Sequence, residues 1–386
     1  MDIQALDKEY IANTYGRFPL TIARGKGSLV WDEGGKRYID LGTGIAVSSF
    51  GISDDSWADA VCAQVRTLTH TSNLYYTAPD VLLAKELCSR TGLKKVFFSN
   101  SGAEANECAI KVARKYSADK YGPGRHQIIT LTGSFHGRTV TTLAATGQDS
   151  FHKDFLPLTE GFLYAQPKRE SVEALLERGD VAAVLFEPVQ GEGGVLPLEQ
   201  DFVRWLAEVA AEKDILLLAD EVQTGNGRSG NLYAYMHYGI LPDAVSTAKG
   251  LAGGLPLGAT MLGEKLQNVL KPGDHGSTFG GNPVCCAGAL NVLSRIDDAL
   301  LQEVREKSQW LTETLSAAKG IKSVSGLGLM LGLETEKPAR EVIDQCMAKG
   351  VLVISAKQKV RLLPALNIPW ELLKEAVQVI LEVCAE

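Results

Sequence analysis

One lysine, Lys249, stands in "DAVSTAKGLAGGLPLGA" (243–259) among small and apolar residues, with no charged residue within five positions on either side. Lysine ordinarily keeps its ammonium in water. In a packed, glycine-lined spot it loses hydration, its pKa falls and its amine becomes a nucleophile. The plainer reading is a loop lysine whose head snorkels out to solvent. Four other polar sets also follow short apolar runs. They are Ser99-Asn100-Ser101-Gly102-Ala103 after "KVFF", Gly133-Ser134-Phe135-His136-Gly137-Arg138 after "QIITL", Glu187 to Glu192 after "VAAVLF", and Asp220-Glu221-Val222-Gln223 after "DILLLA". Ser101-Gly102-Ala103 either caps a helix or offers free N–H groups to a phosphate. Phe135 can stack on a flat ring or fill core, and His136 reads as a satisfied core histidine. Asp220, at the end of an apolar strand, is costly to bury unless it meets a cation or donor. Small neighbours beside Arg138 leave room for a ligand.

These residues need elements to position them. "KKVFFSN" (94–100), "QIITL" (127–131), "VAAVLF" (181–186), "DILLLA" (214–219) and "DAVST" (243–247) read as buried strands. Between them, Ala105, Cys108, Ala109, Val112, Ala113 and Tyr116 recur at helical spacing, as does "DFVRWLAEVAAEK" (201–213). Ser101 and Glu104 have capping-box spacing. Near-continuous apolar strands alternating with helices predict an α/β fold, a mainly parallel sheet covered on both faces. In such sheets ligands bind beyond the carboxyl ends of the strands, where all five polar sets fall. After about residue 285 a long helical stretch, short β-like runs ("LGLMLGLE", "VLVIS") and a final helix predict a smaller α+β domain. The expected organisation is an N-terminal segment 1–55 contributing to the small domain, a large domain 56–285 and a small domain 286–386.

Composition narrows the function classes. A net charge of −7 in 386 residues argues against a nucleic-acid binder. No apolar run approaches the roughly 18 residues of a membrane span, and the N-terminus does not resemble a signal peptide. Seven scattered cysteines form no CxxC pair or Cys/His cluster, so no metal site is expected and the thiols read as reduced, in a cytoplasmic protein.

A phosphate loop, a stacking ring, a buried acid and a buried lysine together match what pyridoxal phosphate needs: a lysine for its aldehyde and an acid to keep its pyridine nitrogen protonated. "FFSNSGAEANECAIKVAR", "GSFHGRT", "FEPVQGEGG", "LLADEVQTGNGRSG", "PDAVSTAKGLAGGLPLGA" and "HGSTFGGNP" occur in that order. With them the sequence resembles the class III pyridoxal-phosphate aminotransferases, and "SNLYY" (72–76) places it nearer the members acting on acetylornithine than those acting on free ornithine.

The resemblance implies a fold-type I transferase and a homodimer with shared active sites. It implies that Lys249 is the Schiff-base lysine and proton shuttle, that Asp220 pairs with the pyridine nitrogen, and that Gln223 bonds the ring hydroxyl. Phe135 and Val222 would flank the ring. Ser101, Gly102 and Ala103 would hold the phosphate with Ser277 and Thr278 of the neighbouring subunit. Arg138 would take the α-carboxylate of the ornithine-type substrate and the distal carboxylate of glutamate. Arg361, which alone reads as a surface charge, would take the glutamate α-carboxylate, with Glu192 covering it while the ornithine-type donor is bound. Tyr15 is a further substrate contact on this view.

Three departures stand out: "FGISDDSW" (50–57) in place of a Gly-His-x-His-Pro-like turn, Ile45 where the free-ornithine enzymes tend to have tyrosine, and Gln358-Lys359 in place of a glycine-containing turn. The expected reaction moves the terminal amino group of N2-acetylornithine to 2-oxoglutarate. Succinylornithine, ornithine, 4-aminobutyrate or an acylated lysine are the alternative donors, and a catalytically silent binding protein on the same fold is the alternative of another class.

Overall fold

Seven strands make the central sheet, in the order Lys95–Ser99, Gly258–Leu262, Ala244–Thr247, Leu216–Asp220, Val181–Phe186, Gln127–Leu131 and Phe162–Ala165. All run one way except Gly258–Leu262, which is antiparallel to both neighbours. This is the expected mainly parallel α/β sheet. The structure is a computed structural model that describes residues 2–386.

The strands read as continuous apolar runs because both faces are covered. Leu216 and Leu218 pack with Ala109, Ile110, Val112 and Ala113 of the helix Gly102–Tyr121. Leu217 and Ala219, pointing the other way, join a second apolar layer with Val184, Phe186 and Val245. Fully burying one such aliphatic side chain contributes about 1.5–3 kcal/mol. The helix starts where Ser101 Oγ accepts the Glu104 N–H at 3.2 Å. The Glu104 carboxylate turns back to the Asn100 N–H at 2.6 Å, one residue earlier than a capping box places it.

Two strands of the central sheet escape the sequence reading, Phe162–Ala165 and Gly258–Leu262. The long helical stretch after residue 285 is two helices, Pro283–Ser294 and Asp298–Ser316, because Asp297 caps the second by accepting the Leu300 N–H at 2.8 Å. "VLVIS" serves two sheets. Val351–Leu352 runs parallel to Arg37–Asp40, beyond which lie Leu29–Asp32 and Ile22–Lys26. Past the buried Val353, Ile354–Ala356 enters a four-stranded antiparallel sheet with Lys359–Leu362, Met330–Thr335 and Ile321–Leu327.

A left-handed turn links these parts. Thr43, Gly44, Ile45 and Ala46 have φ of 46°, 64°, 66° and 62°. Left-handed backbone costs about 1–2 kcal/mol per L-residue, so the turn needs support. Thr43 Oγ1 donates to the Leu363 carbonyl at 2.6 Å, and the Leu363 N–H donates to the Leu41 carbonyl at 2.6 Å. The turn delivers Val47 to a cavity at the carboxyl ends of the parallel strands.

Candidate active site

A cavity of about 460 Å³ opens at the carboxyl ends of the parallel strands. Its wall brings together Ser101, Gly102 and Ala103, Phe135 and Arg138, Asp220, Val222 and Gln223, and Lys249. Residues that are up to 148 positions apart in the chain therefore share one space, because each follows a strand of the same sheet.

At one end lies the start of the helix Gly102–Tyr121. Ser101 Oγ is used by Glu104, and among the described residues no hydrogen bond uses the N–H groups of Gly102 or Ala103. Gly102 is required by a close approach: a Cβ there would sit 2.6 Å from Val222 Cγ1. The loop thus presents bare amides, with the helix dipole behind them, a setting suited to a phosphate.

Deeper in, Asp220 is buried, with both carboxylate oxygens hydrogen-bonded. Its Oδ2 accepts from Asn106 Nδ2 at 2.7 Å and from His136 Nδ1 at 2.8 Å, and its Oδ1 accepts the Val222 N–H at 3.0 Å. Asn106 also donates to the His136 carbonyl at 2.8 Å, so amide and imidazole are locked as a unit. His136 is bound through one nitrogen; its buried Nε2 has no partner among the described residues. A second acid, Glu187, lines the same wall. It accepts the N–H groups of Phe135 at 2.9 Å and Gly191 at 3.3 Å. Burial first, and the charge of Asp220 second, push its carboxyl well above the ordinary range.

Lys249 follows the strand Ala244–Thr247 and adopts φ of 46°, a left-handed conformation that costs about 1–3 kcal/mol outside glycine. The neighbouring Asn226 holds this bend by donating to the Ala248 carbonyl at 3.1 Å. The half-buried lysine has no hydrogen bond or ion pair with any described side chain. Burial lowers its pKa from the usual lysine value, against the opposing pull of Glu192 and Asp220. The reactive reading of this lysine, not the snorkelling one, fits that environment.

Gln223 connects the cavity to an ion pair whose arginine is buried and whose carboxylate is half-buried. Arg361 Nη1 donates to Gln223 Oε1 at 2.9 Å and to Glu192 Oε1 at 2.6 Å. Burial alone would raise the Glu192 carboxyl, but the charge and hydrogen bond of Arg361 outweigh it and hold it below the ordinary range. Arg361, read alone as a surface charge, is 2% exposed. It sits on the inner strand Lys359–Leu362, paired on both sides, at Gly332 and Ile354. Gly191 lets Gln223 lie against the loop bearing Glu192, since a Cβ there would meet Gln223 Nε2 at 2.6 Å.

The other expected residues lie at the cavity mouth or outside it. Arg138 stands exposed at the mouth, its guanidinium 5.7 Å from the Phe135 ring centre and 4.9 Å from that of Phe151. Ser277 and Thr278 line a separate hollow with His70 and Asn73; Asn100 Nδ2 donates to Ser277 Oγ at 3.1 Å, and Thr278 is exposed. Tyr15 is not brought to the cavity. It is 68% exposed and lines a hollow with Asp7, Lys8 and Arg17. Ile45 lies in another hollow, with Phe18 and Asp40. The sequence reading assigned no role to Asn106, Glu187 or Phe151. An amide on a helix face of mostly small and apolar residues, and an acid directly after a fully apolar strand, are the local signals that mark the first two.

Bare amides at a helix start, an anchored carboxylate, an aromatic face and a free buried amine fit pyridoxal phosphate as a set. Comparison with known proteins shows the family. The aminotransferase class-III family matches residues 10–384, and the chain belongs to that family. It is 49% identical to the acetylornithine aminotransferase of Haemophilus ducreyi, over 100% of this chain and 98% of that protein. It is 41% identical to the acetylornithine aminotransferase of Methanocaldococcus jannaschii, over 99% of this chain and 97% of that protein. Among solved structures it resembles the ornithine aminotransferase of Toxoplasma gondii with a TM-score of 0.95 at 30% identity, covering 99% of this chain and 94% of that one. N-acetylornithine aminotransferase from Stenotrophomonas maltophilia gives a TM-score of 0.85 at 34% identity, covering 99% and 98%.

Proposed function

We propose that this chain is a pyridoxal-phosphate aminotransferase that moves the terminal amino group of N2-acetylornithine to 2-oxoglutarate, in the service of arginine synthesis. The observation that carries the reading is the unpartnered amine of Lys249 in one cavity with the anchored Asp220 carboxylate. The acetylornithine donor is supported by full-length relatives of that name at 41–49% identity.

Bound there, pyridoxal phosphate supplies an aldehyde that takes up the donor's amine and a ring that accepts electrons from the reacting carbon. The amides of Gly102 and Ala103, with Ser101, hold its phosphate. Asp220, fixed by Asn106 and His136, keeps a proton on the ring nitrogen, and Gln223 donates to the ring hydroxyl. Phe135 and Val222, which line the same cavity, would flank the ring and limit access of water. Lys249 Nζ takes a proton from the reacting carbon and returns it, a task that needs the neutral amine favoured by burial. Arg138 binds the carboxylate of the ornithine-type donor, or the distal carboxylate of glutamate, by a planar guanidinium fork. Arg361 binds the glutamate α-carboxylate once Glu192 swings aside.

The assembly follows the same reading: a cytoplasmic homodimer, in which Ser277 and Thr278 of one subunit complete the phosphate site of the other. The exposure of Thr278, Phe279 and the fully exposed Tyr76 supports a covering partner there. The division into 1–55, 56–285 and 286–386 belongs to this proposal. No helix among the described residues is long and apolar enough to cross a membrane.

An absorbance scan of the cofactor-loaded enzyme, mixed with N2-acetylornithine and no keto acid, tests the function. Loss of the lysine-linked cofactor band and growth of the amine form is the expected result. A band that ignores acetylornithine but responds to ornithine, succinylornithine or 4-aminobutyrate overturns the donor. No band after adding the cofactor overturns the class.

A further inference from the structure

Arg138 is the charged residue at the cavity mouth, and its side chain forms no ion pair or hydrogen bond with the described residues. Its protein contacts of note are two aromatic faces. The guanidinium carbon lies 4.9 Å from the Phe151 ring centre and 5.7 Å from that of Phe135, and the two rings meet edge to face at 5.5 Å and 62°. Phe135 is committed to the cofactor cavity. Phe151 does not line it and is the nearer ring.

The short helix that carries Phe151 is pinned on both sides. It spans Asp149–Phe151. Before it, Gln148 Nε2 donates to the Ser134 carbonyl at 3.0 Å, and the Gly147 N–H donates to Ser134 Oγ at 3.1 Å. After it, the buried His152 bonds the Leu143 carbonyl through Nε2 at 2.9 Å. Phe151 therefore stands on a fixed shelf attached to the loop that bears Phe135 and Arg138. A guanidinium over an aromatic face keeps its in-plane N–H donors free, whereas an acid partner would occupy them.

We infer that Phe151 is a positioning residue for carboxylate recognition, holding the Arg138 guanidinium by its face so that its donor edge is open to substrate. This rests on the reading of Arg138 as a carboxylate-binding group. Both substrates present a carboxylate to Arg138, so Phe151 acts in both half-reactions. Its loss weakens binding of each without touching the chemistry at Lys249.

The test is a double-mutant cycle on the cofactor-loaded enzyme. Phe151→Leu is expected to raise KM for N2-acetylornithine and for 2-oxoglutarate by about two- to fivefold, the range of an exposed cation–π contact. kcat at saturation and the cofactor absorbance band stay as in the parent. Phe151→Tyr, which keeps the aromatic face, restores the KM lost in Phe151→Leu. In an Arg138→Gln background, Phe151→Leu has no further effect. An unchanged KM in Phe151→Leu, while Arg138→Gln raises it, overturns this inference and leaves the reading of Arg138 standing. Equal KM increases with and without Arg138 also overturn it, because Phe151 then acts only through the fold. An Arg138→Gln enzyme with unaltered KM overturns the Arg138 reading, and Phe151 falls with it.

Discussion

Replacing Glu192 with alanine should shift donor preference toward free α-amino acids. Arg361 Nη1 donates to Glu192 Oε1 at 2.6 Å, and the arginine side chain retains 3% of its exposure. On the proposed reading a glutamate α-carboxylate competes with Glu192 for that guanidinium, so the strength of the existing bond opposes the glutamate half-reaction. A hydrogen bond between charged groups contributes about 1.5–3 kcal/mol. Glu192 keeps 31% of its exposure, which screens the pair and selects the lower end. At about 1.5 kcal/mol, removing the competitor raises kcat/KM for glutamate roughly tenfold. On the proposed reading N2-acetylornithine reacts through its terminal amine and binds through Arg138, so it should gain nothing from an uncovered Arg361. The assay is single-turnover absorbance of the cofactor-loaded enzyme with each donor in the absence of keto acid. Glu192→Gln serves as the control, because a neutral amide still partners Arg361 and should give a smaller gain. An unchanged ratio of the two rates, or the same gain for both donors, would refute the idea that Glu192 covers Arg361.

Three further outcomes follow from the same geometry. Lys249→Ala should abolish turnover while the melting temperature of the cofactor-free chain holds, since the amine has no hydrogen-bond or ion-pair partner among the described residues; retained steady-state activity would sink the assignment. Gly102→Ala places a methyl group 2.6 Å from Val222 Cγ1. Overpacking of this kind costs about 1–3 kcal/mol, so the dissociation constant for pyridoxal phosphate measured by equilibrium dialysis should rise roughly tenfold, and an unaltered constant counts against the close approach. Glu221, entirely buried, is pushed up from 4.5 to about 7, chiefly by burial. Between those values the folded state keeps a proton that the unfolded chain has released, so stability falls as pH rises through the window, by up to roughly 3 kcal/mol. Urea unfolding across that range should show the slope in the parent and a flatter one in Glu221→Gln; equal slopes would mean that Glu221 is ionised throughout.

The parts of the fold legible in the sequence are those where a local pattern decides the structure. Gln127–Leu131 and Val181–Phe186 match their apolar runs, and the helix Gly102–Tyr121 follows its stripe of small residues. Phe162–Ala165 escapes notice because it is an edge strand of only four residues, with Tyr164 exposed. Gly258–Leu262 is entirely buried but opens on glycine and alanine, and its reversed direction breaks the strand-then-helix rhythm on which the reading relied. The break between the helices Pro283–Ser294 and Asp298–Ser316 turns on one side chain, Asp297, whose capping bond outweighs the helical propensity on either side.

The site divides in the same way, and the division has a physical cause. Asp220, Lys249 and the Ser101 loop are legible because a carboxylate, an amine and a glycine-bearing turn after apolar strands are each costly or odd where they stand. Arg361 carries no such mark. Its neighbours in "KVRLLP" suit any strand, and its burial depends on Glu192, 169 positions away, and Gln223, 138 positions away. A buried cation becomes affordable only through those partners, so its role is a property of the assembled pair and not of any window of sequence. Phe151 is harder still. A phenylalanine exposes no cost at all, and only its 4.9 Å approach to Arg138 gives it meaning. Residues that act by their own chemistry therefore announce themselves in a chain, while those that act by positioning others emerge only when the chain is folded.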